Sequence, residues 1–210
     1  MTWVDVIKLS VPFVTAVLMV WIKAAIESSL AQHNKRHALS RVLSDELSEA
    51  RKTAEVLSRI AGSAAAGKMR LVSLDLSSLI PKLACDLAEI DTKQAYRYAG
   101  LASSAELVNK GLARLAALSL SRVTAATEEI RNRFDRTIIG QAKITAADYV
   151  GFCGAQFEVL NAIPPRSRYP DEQVIRTLGK QIEDAKKVLE DWPQLTQQKP
   201  PAVDWDENDG

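Results

Sequence analysis

The run WVDVIKLSVPFVTAVLMVWIKAAIE near the amino terminus constrains the fold more than any other stretch, because its centre, Leu9 to Ile22, carries no charged residue. That centre alone is short for a membrane span and would also suit a buried core helix. Its flanks favour the span. Trp3 and Trp21 are separated by about 27 Å on a helix, close to the hydrocarbon thickness of a bilayer, so both indoles fall at interfaces. Lys8 and Lys23 can lay their methylene stems along the apolar segment and keep their ammonium groups among headgroups. Pro12 lies near one end, where a helix tolerates its missing N–H. A cleaved signal peptide fits less well, since the start is not cleanly basic and Trp21-Ile22-Lys23 interrupts the approach to Ser29-Leu30-Ala31. Residues 1–27 are therefore expected to form a transmembrane helix with a short amino-terminal tail.

Directly after the apolar run comes AQHNKRHALSR, with Lys35, Arg36 and Arg41. Basic residues stay on the cytosolic side, so the amino terminus is expected outside and the remainder in the cytoplasm. The same cluster is a candidate for holding anionic lipid headgroups as well as setting topology. Membrane lipids are thus the first expected partner. The net charge of +1 gives no global field for nucleic acid, and no nucleic-acid partner is expected.

From Ser28 to Ala61 there is neither Gly nor Pro, which predicts that the membrane helix continues as a juxtamembrane stalk over residues 28–61. Leu43, Leu47, Ala50, Ala54, Leu57 and Ala61 recur at steps of four and three, the spacing of a helix seam. The leucines of this seam, Leu43, Leu47 and Leu57, either dock the stalk on a core or join two stalks as a coiled coil, so a homo-oligomer through the stalk is a second candidate assembly. Residues 62–192 continue the helical pattern and predict a cytosolic bundle. Its stripes are Ile80, Leu83, Leu87 and Ile90, then Tyr98 through Leu115, then Ile130, Phe134 and Ile138, then a helix capped by Thr145 with Tyr149, Cys153, Phe157 and Leu160, and a last helix after Pro170. Gly151 and Gly154 are expected to let another helix approach. The end, residues 193–210, is acidic and proline-containing and is expected to be disordered. The fold class is all-α.

Catalytic chemistry is hard to find. GSAAAGKM, Gly62 to Met69, matches the phosphate-loop pattern GxxxxGK[ST] except at Met69, which makes Gly62, Gly67 and Lys68 a weak nucleotide candidate. A phosphate loop needs a strand before it and a helix after it, whereas EVLSRIA precedes this one and an extended RLVSLD follows. The competing expectation is that Gly62 ends the long helix in a left-handed cap and Lys68 is a solvated loop charge. His33 and His37 lack the acidic partner of a metal helix, and Cys85 and Cys153 are too far apart for a metal pair and read as buried thiols. No catalytic residue, metal or cofactor is expected. The functional expectation is a single-pass membrane-anchored helical module that recruits or assembles a protein partner at the cytosolic face. The alternatives are a membrane-tethered sensor whose bundle binds a small ligand, and a nucleotide-binding enzyme using the Gly62 loop.

Overall fold

The computed structural model describes residues 3–69, 78–169 and 172–192, with side chains from residue 18 onward. Among the described residues the chain is all-α, with six helices and no strand: α1 (Trp3–Ser48), α2 (Ala50–Ala65), α3 (Leu79–Ile90), α4 (Ala95–Val123), α5 (Glu128–Ala162) and α6 (Glu172–Glu190). A short 3-10 turn, Pro165–Ser167, links α5 to α6.

The long helix expected from residue 28 to 61 is interrupted at Glu49, and α2 carries on away from α1 instead of folding back on it. Helix α3 runs antiparallel to α1, since Gln32 reaches the carbonyl of Ile90 while Lys35 meets Asp86 one turn earlier in α3. Then α4 runs back along the bundle, α5 returns, and α6 packs on α2 and α5. One apolar core results, to which α1 contributes Leu39, Leu43 and Leu47, α2 Leu57, α4 Leu101 and Leu115, and α5 Tyr149, Phe152 and Leu160. Trp192, just beyond α6, closes it at 2% exposure.

Register between α4 and α5 depends on one glycine. A Cβ on Gly111 would lie 2.7 Å from Thr145 Oγ1, so the two helices can come this close only because position 111 has no side chain. Gly151 and Gly154, expected to serve that purpose, have open space where a Cβ would stand. Thr145 is not a cap either. Helix α5 is continuous through it, its hydroxyl donates to the Gln141 carbonyl, and the cap is Thr127, which accepts from the Ile130 amide. Burial against Gly111 outweighs the capping preference of a threonine, which is a local signal.

Among the described residues no helix is long and apolar enough to cross a membrane. The expected span over residues 1–27 falls mostly on residues 1–17, so the side chains of Trp3 and Lys8 lie outside the described residues. Of the apolar run, Leu18 to Ile22 are described, and each is exposed. The expected extended segment RLVSLD and the expected disordered end, 193–210, also lie outside the described residues.

Candidate functional site

Helix α1 leaves the bundle as an arm. Every residue from Leu18 to Ala31 is exposed, and burial of α1 in the core begins at Leu39. Seven large apolar side chains lie on this arm: Leu18, Met19, Val20, Trp21, Ile22, Ile26 and Leu30, with Trp21 at 75% exposure. Lys23 shares the arm and sits 3.9 Å from Glu27. Single exposed apolar residues are ordinary, but a contiguous group of this size marks a surface that something else covers.

The root of the arm is held by polar contacts to two turns of the bundle. Gln32 Nε2 donates to the Ile90 carbonyl at 3.3 Å, and His33 Nδ1 pairs with Ser167 Oγ at 2.8 Å. Lys35 and Arg36, candidates for lipid or topology, each meet a carboxylate of the same chain. Lys35 lies 3.3 Å from Asp86, in a half-exposed pair of small energetic consequence. Arg36 pairs with Asp91, whose side chain is 7% exposed and also accepts from the Tyr98 hydroxyl at 3.3 Å. Burial works against the Arg36 charge, but the hydrogen bond and charge of Asp91 outweigh it and hold the guanidinium above its ordinary pKa. Burial and the neighbouring Asp91 charge raise the Tyr98 phenol, so it stays a donor. Arg41 is exposed on the next turn. Tyr169 completes the root: its amide donates to Ser40 Oγ at 2.9 Å and its ring lies 5.9 Å from that of His37.

The phosphate-loop lookalike is a helix end. Helix α2 runs through Gly62, which is buried, to Ala65, and the residue with positive φ is Gly67, at 67°. The Ala66, Gly67 and Lys68 amides donate to the Gly62, Ala64 and Ser63 carbonyls at 3.0, 3.0 and 2.9 Å. This is a Schellman cap with Gly67 in the left-handed position, so the amides that would cradle a phosphate already have acceptors. The Gly67 carbonyl accepts from Arg122 Nη2 at 2.6 Å, and Arg122 also grips Asp135 through two bonds of 2.8 and 3.2 Å. Lys68 is exposed and Met69 is 6% exposed. The expectation that Gly62 itself caps the helix is corrected to Gly67.

The thiols differ from each other. Cys153 is buried beside Tyr149, whereas Cys85, expected to be buried, is exposed on α3. Burial, with the Tyr149 hydrogen bond opposing it only in part, pushes the Cys153 thiol up to about 12. Burial likewise raises the Tyr149 phenol, which is hydrogen-bonded to Thr53 and Cys153. An aromatic disulfide reagent at neutral pH is therefore expected to titrate Cys85 promptly and Cys153 only after denaturation. Prompt reaction of both would mean that the core around Tyr149 opens readily. Above the ordinary thiol value of 9.0 the unfolded chain gives up a proton that folded Cys153 retains, so stability falls as pH rises from there towards 12.

Between α1 and the start of α3 lies a shallow, open depression lined by Val42, Asp45, Glu46, Glu49 and Leu79. Among the described residues no three His, Cys, Asp or Glu side chains are grouped to hold a metal ion. No family model matches the chain, and no curated protein or solved structure matches it.

Proposed function

We propose that this protein is a single-pass, membrane-anchored helical module, with the amino-terminal part of α1 in the bilayer and the bundle held at the cytosolic face as a platform for a protein partner. One observation carries the reading: α1 is a continuous helix from Trp3 to Ser48 whose part from Leu18 to Ala31 touches no core and presents seven large apolar side chains. Water is a poor solvent for such an arm, and at about 25 cal/mol per Å² of apolar surface its transfer to lipid is strongly favourable. The side chains described on α1, from Leu18 onward, do not make up a span by themselves, so this reading draws on the uncharged run of the sequence that begins at Leu9. The basic cluster after the arm orients the chain with its amino terminus outside during insertion. Once folded, Lys35 and Arg36 belong to the root of the bundle.

Full-length protein is expected to pellet with membranes and to resist extraction by carbonate. Met19→Asp with Val20→Asp is expected to weaken that retention, because two charges beside Trp21 cut the uncharged run from Leu9 to Ile22 short of what a span needs. These two side chains are 65% and 70% exposed, so the bundle itself should keep its helicity in the variant. A parent protein that stays in the supernatant as a larger oligomer would show that the arm packs on another copy, and would overturn the membrane reading.

A further inference from the structure

We infer that the end of the bundle from which the arm emerges is a docking face for an anionic bilayer surface, formed by Ile90, Lys93, Tyr96 and Arg97 of the α3–α4 turn together with Arg166 and Arg168 of the α5–α6 turn. The inference rests on the membrane reading above and adds to it the lipid charge that the bundle recognises.

The two turns are distant in sequence, and the fold brings them to one level. Gln32 holds the Ile90 carbonyl and His33 holds Ser167, so both turns flank α1 at the height where it leaves the core. Arg166 and Arg168 bracket Ser167, and Lys93, Tyr96 and Arg97 follow Ile90 within two helical turns. Ile90 is 43% and Tyr96 69% exposed, Lys93 and Arg166 are exposed, and Arg97 and Arg168 are half-buried. Arg97 lies over the Tyr96 ring at 5.4 Å and its Nε donates to the Tyr96 hydroxyl at 2.8 Å. A guanidinium stacked on a tyrosine suits the headgroup layer, where the ring finds an interface and the cation a phosphate.

Charge distribution identifies the partner. The whole chain carries only +1, yet four cations gather on these two turns. Against them stand Glu89, which is exposed, Asp86 and Asp91, which are already paired with Lys35 and Arg36, and, where the chain enters α6, Asp171 and Glu172, the latter paired with Arg176. The root carboxylates thus neutralise the cations of α1 and leave those of the turns to act outward. The arm supplies the continuity. Ile22, Ile26 and Leu30 repeat every four residues down one exposed face, carrying an apolar stripe to within one turn of Gln32. A tilt of α1 that lays this stripe in the interface brings the basic end within a Debye length of the headgroups, about 8 to 10 Å.

The test uses the full chain and vesicles of phosphatidylcholine, with or without phosphatidylserine, at low salt. The parent is expected to bind the phosphatidylserine vesicles more tightly than the neutral ones. The combined variant Lys93→Ala, Arg97→Ala, Arg166→Ala and Arg168→Ala is expected to bind neutral vesicles as the parent does and to lose its preference for anionic ones, by about fivefold per charge removed. Should the fourfold variant lose its helical circular dichroism, the pairs Lys93→Ala/Arg97→Ala and Arg166→Ala/Arg168→Ala are each expected to lose part of the preference. Arg114→Ala with Lys143→Ala, both exposed partway along the bundle, is expected to keep it. Equal binding of the parent to both vesicle types overturns the docking face and leaves the anchor standing. So does a control pair that loses as much as a pair from the turns. A parent that binds neither vesicle type overturns both readings.

Discussion

Asp135→Ala is expected to destabilise the bundle by about 3 to 5 kcal/mol, because it leaves the Arg122 charge buried with only a carbonyl to meet it. The Arg122 and Asp135 side chains are 12% and 9% exposed, and their two hydrogen bonds of 2.8 and 3.2 Å form a fork that water does not replace. The same guanidinium holds the Gly67 carbonyl, so the change also loosens the end of α2 from the α4–α5 hairpin. Urea unfolding followed by circular dichroism measures the loss. A second variant separates the cost of an orphaned charge from the worth of the pair. Arg122→Met combined with Asp135→Leu removes both charges and is expected to lose much less than Asp135→Ala alone, since buried pairs exchanged for apolar residues are often near neutral. A loss under about 1 kcal/mol for Asp135→Ala would place the pair with ordinary surface ion pairs and would mean that this end of the bundle is open to water.

Leu47→Ala is expected to cost about 2 to 5 kcal/mol, and to cost the same at two protein concentrations. Leu43, Leu47 and Leu57 are all at 0% exposure within one chain, so the seam they form docks α1 and α2 on the core and none of the three is left to meet a second copy. Stability that rose with concentration, with a variant loss that fell away at dilution, would show that a partner chain completes the seam. A loss near zero at both concentrations would mean that Leu47 is exposed in solution and that α1 does not dock as described.

Apolar periodicity is legible because it is a local expression of burial, and it fails at stripe ends, where Ile90 and Ile130 are 43% and 45% exposed. The stripe from Tyr98 to Leu115 is buried residue by residue, and so are Ile175, Leu178, Ile182 and Ala185 of α6. Helix ends are less legible. Glu49 interrupts a stretch with no breaker residue, and Thr145 sits inside a helix of 35 residues despite its capping pattern. Such signals are each worth about a kilocalorie, and packing against a neighbouring helix overrides them. The root of the arm was visible only in halves. Lys35 and Arg36 stand out in the sequence as a basic cluster, but their partners Asp86 and Asp91 lie some fifty residues away, and nothing in the spacing of the chain joins them.

By itself the sequence determined that the chain is helical, which faces of most helices are apolar, and that its beginning carries an uncharged apolar run from Leu9 to Ile22, since each of these is a property of short windows of residues. The tertiary structure alone decided that Leu43, Leu47 and Leu57 face their own core, that Gly67 caps α2 under the grip of Arg122, and that Lys93 and Arg97 stand at the same end as Arg166 and Arg168. These depend on which helix lies beside which, and that is settled by the summed burial of all six helices, the close approach at Gly111 and the pairing of charges across them, none of which any single window contains.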